Sequence, residues 1–203
     1  EQASLIDWHK PPQQICDYSR PPFVKWFKGG ETNLCYNAVD RHAAQRPDAR
    51  ALVYLSTETG EEKVYSFAEL KAEVMRMAAI MQSLGVGKGD RVLIYMPMIA
   101  EAAFAILACA RIGAIHSVVF GGFASGSLAT RIDDAKPKLI VSSDAGMRGG
   151  KAVPYKHLLD EACKLAEFPP QKVLMVDRGL DRDFAMVEGR DVDYATLRAQ
   201  FMD

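Results

Sequence analysis

Strand-length apolar segments alternate with longer segments of helical periodicity along most of this chain. The strand-like segments are residues 91–96, 115–120, 139–143 and 172–177. A helix between successive strands is typical of an α/β fold in which right-handed crossovers join parallel strands. The sequence therefore predicts a parallel sheet built from βαβ layers, with helices on both faces.

The segment 115–120 and the residues after it form the clearest of these units. This segment is mostly β-branched and apolar, as in a strand that is buried on both faces. Gly121 and Gly122 follow, and glycine permits a sharp turn or a close approach to the backbone. Ser125 or Ser127 can cap the next helix. Because ligands bind at the carboxyl ends of parallel strands, we expect the Gly121–Gly122 turn at a ligand-binding edge.

A second candidate loop, residues 144–151, follows the strand predicted over 139–143. It holds three glycines, among them Gly149 and Gly150, and the two cations Arg148 and Lys151. Flexible backbone amides together with cations suit an anion, above all a phosphate. A surface loop with ordinary solubilising charges fits the same residues. If the strands are parallel, both loops emerge at the same edge of the sheet.

A strong helix signal starts at Ser66, which forms a capping box with Glu69. The apolar residues behind it are Phe67, Leu70, Val74, Met77, Met81 and Leu84. Their spacing of three and four predicts one buried stripe of an amphipathic helix.

The glycine-rich segment 85–89 follows a helix and precedes a strand. A phosphate loop has the reverse order, so we interpret this segment as a turn. Pro97 suits the first turn of the next helix, and the apolar segment 102–110 predicts a helix buried all round.

Residues 1–30 are rich in proline and aromatic residues and include proline pairs at 11–12 and 21–22. Proline pairs resist helix and strand, and aromatic side chains at this density favour burial. We expect an extended N-terminal arm that lies on a body, with a disordered tail as the alternative. Residues 31–203 are expected to form an incomplete α/β domain. The first residue is Glu1 and the end shows no closing element, which indicates a processed product or a piece of a longer protein.

Composition disfavours several classes of function. A formal net charge of -1 gives no indication of binding to nucleic acid or to a membrane surface. The four cysteines are far apart and form no CxxC pair, so we expect no zinc site and no disulfide framework. Reduced thiols and the lack of a signal peptide predict a cytoplasmic protein. No metal site is predicted, since we interpret the acidic pair 133–134 as a solvated helix end.

No arrangement of nucleophile and base is recognisable, and the four histidines are scattered. We interpret His116, within a predicted strand, as a core residue, and we predict no catalytic residue in this chain. No GxGxxG follows a strand, which disfavours a dinucleotide-dependent oxidoreductase. The residues alone indicate an α/β domain with an anion-binding edge.

Several long segments agree in order and spacing with one known family. They include WFKGG at 26–30, TNLCYNAVDRH at 32–42, YMPMIAEA at 95–102, GAIHSVVFGGF at 113–123, RIDDAKP at 131–137 and DAGMRGGK at 144–151. Over nearly the whole chain they resemble the acetyl-CoA synthetase branch of the adenylate-forming ligases. The segments 95–102, 124–125, 131–137 and 144–151 are most similar to members that use propionate.

The resemblance implies a reaction in which a short-chain carboxylate is activated with ATP and Mg²⁺, pyrophosphate leaves, and coenzyme A takes the acyl group from the adenylate. The chain is similar only to the first part of such an enzyme. The resemblance therefore implies an N-terminal fragment, part of the large N-terminal domain, that is inactive alone and holds no bound cofactor. Its partners are the small-molecule substrates and the missing C-terminal part of the same polypeptide.

The resemblance further implies a coenzyme A-binding edge. Its residues are Gly121, Gly122, Arg148, Gly149, Gly150 and Lys151. Gly122 matches a glycine that borders the pantetheine tunnel, and Arg148 matches an arginine that grips the nucleotide phosphates. Lys151 stands where acetyl-CoA synthetases usually have arginine, so it keeps the charge without the bidentate fork. The alternative function is a stand-alone, non-catalytic domain that binds coenzyme A or a partner protein.

Overall fold

Strands and helices alternate through most of the residues that the computed structural model describes, which are 2–57, 59–119 and 121–201. The strands are β1 (Gln14–Arg20), β2 (Phe23–Lys28), β3 (Arg50–Leu55), β4 (Glu62–Ser66), β5 (Arg91–Tyr95), β6 (Ile115–Val119), β7 (Leu139–Ser143), β8 (Gly146–Arg148), β9 (Lys151–Val153), β10 (Lys172–Val176) and β11 (Asp191–Asp193). The helices are α1 (Arg41–Gln45), α2 (Phe67–Ser83), α3 (Ala100–Ile112), α4 (Ser125–Ala135), α5 (Tyr155–Leu165) and α6 (Tyr194–Gln200). A 3₁₀ turn covers Gln2–Leu5, and a π-helical turn, Tyr36–Asp40, precedes α1.

Within the described residues, five strands form one parallel sheet in the order β11-β10-β7-β5-β6. Every pair of neighbours in it is parallel, so the carboxyl ends of all five strands meet at one edge. The remaining strands pair as the antiparallel hairpins β1–β2, β3–β4 and β8–β9. The prediction of parallel βαβ layers is confirmed.

Helices cover both faces of the sheet. Because side chains alternate along a strand, Val92 and Ile94 of β5 face one side, where α2, α3 and α6 pack. Leu93 and Tyr95 face the other side and pack with α4 and α5. Two apolar clusters therefore hold the sheet between two helical layers, as the sequence predicted.

Strand β6 differs from the prediction of a buried strand. It lies at the edge of the sheet, and among the described residues only β5 pairs with it. Ile115 and Val118 are 57% and 58% exposed, and His116 is exposed rather than a core residue. An apolar, β-branched run fits an edge strand as well as a central one, because the run carries no information about how many neighbours the strand has.

The capping box at the start of α2 is confirmed. The Ser66 hydroxyl accepts a hydrogen bond from the Glu69 amide (3.2 Å), and the Glu69 carboxylate accepts one from the Ser66 amide (2.8 Å).

Helix α3 differs in two ways from its prediction. It begins at Ala100, three residues after Pro97, and its Ala103–Leu107 side lines an apolar groove instead of being fully buried. None of the described helices is both long and apolar enough to cross a membrane.

The proline-rich N-terminal segment contains a hairpin that the proline pairs led us not to expect. Pro21 and Pro22, joined by a cis peptide bond, occupy the turn between β1 and β2, where proline removes no ladder hydrogen bond. The side chains of Phe23 and Trp26 are 78% and 62% exposed. Contact with the body is made by the preceding residues, for example through the Asp7 amide, which donates to Asn37 Oδ1 (2.8 Å).

Candidate functional site

An open cavity of about 590 Å³ lies at the carboxyl edge of the parallel sheet. Its lining residues follow or end the strands β3, β5, β6, β8 and β10, and others come from β9 and the start of α5. They are residues 54–57 and 96–99, Val118, Val119, Gly121, Gly122, Met147, Arg148, Val153, Tyr155 and Arg178. We call it the carboxyl-edge cavity. Its walls are largely apolar, and its two cations are the arginines.

The structure brings part of the predicted site together at this cavity. Gly121, Gly122 and Arg148 line it, although they come from two separate βαβ units. Gly149, Gly150 and Lys151 are exposed and lie outside its lining. That any of these residues binds a ligand stays a prediction.

The segment that we predicted as a flexible loop is an ordered hairpin. Strands β8 and β9 pair in antiparallel register, with Arg148 directly opposite Lys151. Gly149 and Gly150 form the two-residue turn, with φ of +56° and +75°. A two-residue hairpin turn of this type needs a positive φ at both positions, and glycine adopts a positive φ without strain. The two glycines therefore shape the hairpin and place both cations next to its turn.

Asp144, which directly follows β7, fixes the neighbouring loop after β10. Its carboxylate is fully buried and accepts hydrogen bonds from the amides of Arg178 (3.1 Å), Leu180 (2.7 Å) and Asp181 (3.2 Å). The Arg178 guanidinium in turn donates to the carbonyl of Ala145 (3.1 Å). Sequence reasoning missed Arg178 as a cavity residue. The rule that ligands bind after parallel strands would have pointed to it, since it comes two residues after β10 ends.

Gly121 is constrained by a neighbouring side chain of the protein itself. A Cβ at this position would lie 1.9 Å from the Tyr155 hydroxyl oxygen and 2.2 Å from Cζ of the same ring.

The predicted cap of the next helix, α4, is wrong. Ala124 occupies the N-cap without a side-chain bond, and the Ser125 hydroxyl donates instead to Glu161 of α5 (2.7 Å).

A second, more polar cavity of about 370 Å³ shares Tyr54, Ile99 and Arg178 with the carboxyl-edge cavity. Its charged lining residues are Glu61, Lys63, Glu101, Asp177 and Arg178. Burial raises the pKa of Glu101 above its ordinary value, and the charges of Lys63 and Arg178 oppose that rise. With both signs of charge present, this cavity shows no preference for an anion.

The arrangement suits binding more than chemistry. The carboxyl-edge cavity offers an apolar body and a rim cation, which fits an elongated ligand with an anionic end. No group of three or more metal-ligating side chains is found in residues 2–57, 59–119 and 121–201.

This combination of a parallel sheet, two helical layers and a ligand cavity at the carboxyl edge has a clear counterpart among known proteins. The family described as AMP-binding enzyme matches residues 39–198, and the acetyl-coenzyme A synthetase N-terminus matches residues 1–38. The chain belongs to the AMP-binding enzyme family.

Within that family, the chain is similar to propionate–CoA ligases. It is 61% identical over 202 residues to the enzyme of Salmonella typhimurium and 60% identical over 200 residues to that of Escherichia coli, covering 100% and 98% of this chain and 32% of each relative. The acetoacetyl-CoA synthetase of Streptomyces lividans shares its fold with a TM-score of 0.83 and 29% identity, over 96% of this chain and 29% of that one. The chain thus spans about a third of the length of these relatives, and its fold is that of an adenylate-forming ligase domain.

Proposed function

We propose that this chain is the N-terminal part of an ATP-dependent ligase that joins a short-chain carboxylate, propionate by preference, to coenzyme A. The full-length polypeptide would use ATP with Mg²⁺ and release AMP and pyrophosphate. Support comes from the 61% identity to a propionate–CoA ligase along the whole chain. Because the chain spans only about a third of that relative, we ascribe the reaction to the full-length polypeptide, in the cytoplasm, and expect this chain alone to be inactive.

The part of the reaction that we assign to this chain is the coenzyme A-binding edge. The observation that carries the proposal is that Gly122 and Arg148, from two separate units of the fold, line one cavity at the carboxyl edge. Its apolar walls suit the pantetheine arm, and a guanidinium at its rim suits the phosphates of the nucleotide. Gly121 also lines this cavity.

The turn end of the β8–β9 hairpin supports an anion site in a second way. Arg148 and Lys151 stand directly opposite each other, and like charges in that position repel. A phosphate next to the turn could contact both cations at once. In the proposal, Arg148 and Lys151 contact the nucleotide phosphates, while Gly149 and Gly150 hold the turn between them.

Kinetics of Arg148→Ala in the full-length polypeptide test the proposal. We expect the KM for coenzyme A to rise about tenfold or more, as the loss of one charge-assisted hydrogen bond predicts. Carboxylate-dependent exchange between ATP and pyrophosphate, which reports adenylation, should stay near normal. Arg182→Ala, at an exposed arginine outside the cavity, is the matched control. An unchanged KM for Arg148→Ala would remove this residue from the site.

A second measurement tests the assignment of the reaction to the full-length polypeptide. The 203-residue chain is incubated with propionate, ATP, Mg²⁺ and coenzyme A, and thioester formation is followed. We expect none. Turnover by the chain alone would overturn the view that it supplies only one edge of the active site.

A further inference from the structure

Tyr155 lies between two walls of the carboxyl-edge cavity, the Gly121–Gly122 turn and the β8–β9 hairpin. It begins α5 directly after the β8–β9 hairpin, and it is only 8% exposed. A Cβ on Gly121 would lie 1.9 Å from its hydroxyl oxygen, and a Cβ on Gly146 would lie 2.9 Å from the same oxygen and from Cζ. The end of the Tyr155 ring therefore contacts both Gly121, in the turn after β6, and Gly146, the first residue of β8.

The Tyr155 ring is also held by the sheet. It stacks on the ring of Tyr95, with centroids 4.9 Å apart and planes 28° from parallel. Tyr95 is fully buried at the end of β5, and its hydroxyl donates to the carbonyl of Phe123, just after the Gly121–Gly122 turn (3.4 Å). The Tyr155 ring is therefore held by the buried ring of Tyr95 and by two backbone segments, and it also borders the carboxyl-edge cavity.

We propose that Tyr155 is a positioning residue for coenzyme A, a role that rests on the function proposed above. Its ring keeps the Gly121–Gly122 turn at a fixed distance from the hairpin that carries Arg148. The two walls belong to different βαβ units, and Tyr155 contacts both of them. The pantetheine side and the phosphate side of the ligand site are thereby held in register.

Two glycines are explained by the same arrangement. Glycine at positions 121 and 146 leaves space for the ring, since a methyl group at either one would overlap it. At Gly121 the need for glycine thus arises from Tyr155 within the protein. Gly122, which is exposed and lines the cavity, is left as the glycine that faces the ligand.

The test uses the full-length polypeptide with Tyr155→Leu, which keeps an apolar side chain but shortens it. We expect the KM for coenzyme A to rise at least about fivefold, because a displaced Arg148 loses much of a charge-assisted bond whose full loss is worth about tenfold or more. Exchange between ATP and pyrophosphate should change by less than about twofold. Tyr155→Phe keeps the ring and should restore most of the affinity.

Leu159→Ala is the matched control for a structural effect. Leu159 lies one turn further along α5 and is fully buried in the same apolar cluster, but it is not part of the cavity lining. We expect this variant to lose stability and to keep its KM for coenzyme A. An equal rise in KM for Leu159→Ala and Tyr155→Leu would overturn the positioning role.

The remaining outcomes separate this inference from the proposed function. A raised KM for Arg148→Ala with an unchanged KM for Tyr155→Leu overturns the inference and leaves the coenzyme A edge in place. Unchanged KM values for both variants overturn the assignment of coenzyme A binding to this edge. If Tyr155→Leu does not fold, Gly146→Ala replaces it, since its methyl group pushes the ring from the hairpin side. A raised KM for Gly146→Ala supports the inference, and an unchanged one overturns it.

Discussion

Gly121→Ala is the substitution whose effect on stability the structure defines best. The new Cβ would lie 1.9 Å from the Tyr155 hydroxyl oxygen, whereas ordinary contacts of a Cβ begin at 3.4 Å. The ring, which also contacts Tyr95 and Gly146, would have to move by about 1.5 Å. Overpacking costs about 1–3 kcal/mol, and we expect a loss within this range because the ring packs against Tyr95 and Gly146 but also borders the cavity.

Gly126→Ala provides a matched control with the opposite sign. Gly126 lies within α4, and a Cβ there would meet nothing within 4 Å. Alanine in place of glycine in a helix stabilises it by about 0.5–1 kcal/mol. Urea unfolding of the 203-residue chain, followed by circular dichroism, measures both variants. Equal stabilities of the two variants would refute the reasoning.

A double variant tests whether the Tyr155 ring causes the cost. In Gly121→Ala combined with Tyr155→Leu, the atoms that the methyl group would overlap are absent. We expect the double variant to be more stable than the sum of the two single losses predicts, by about 0.5–3 kcal/mol, the usual range for residues in contact. Strict additivity would show that the ring and the methyl group do not compete for the same space.

Three further predictions concern stability and reactivity. Ser66→Ala removes one half of the capping box and should lower the free energy of unfolding by about 0.5–2 kcal/mol in urea titrations. An aromatic disulfide reagent should label Cys16 quickly in the native chain, because Cys16 is exposed, whereas burial raises the pKa of the Cys109 thiol to about 12; rapid labelling of a second thiol would contradict this. Burial raises the pKa of Asp191, but hydrogen bonds led by that from Arg190 outweigh it and hold the pKa below its ordinary value. Asp191→Asn should therefore cost about 3–5 kcal/mol at pH 7, and the difference should shrink as pH falls through the lowered pKa in unfolding experiments at several pH values.

Features encoded within short segments were predictable from the sequence. The capping box at Ser66 involves residues three apart, and the stripe of α2 follows from helical periodicity. The alternation of strands and helices was enough to predict a parallel sheet with helices on both faces. Placing the Gly121–Gly122 turn and Arg148 at one edge followed from that topology alone, because all parallel strands end on the same side.

Features that depend on residues far apart in the chain were not predictable in this way. The composition of β6 could not show that the strand lies at the edge of the sheet. The glycines at 149 and 150 predicted an irregular loop and form the turn of a hairpin, since the pairing of β8 with β9 is not visible in either strand alone.

By itself, the sequence determined the periodic elements, the capping box of α2 and the edge at which the parallel strands end together. The tertiary structure decided which strand forms the border of the sheet, that Asp144 organises the loop of Arg178, and that Tyr155 separates the two walls of the cavity. The physical reason is the range of the interactions. Hydrogen bonds along a helix and the alternation of a strand join residues a few positions apart, whereas strand order and the packing of a ring between two glycines join residues that only the folded chain brings into contact.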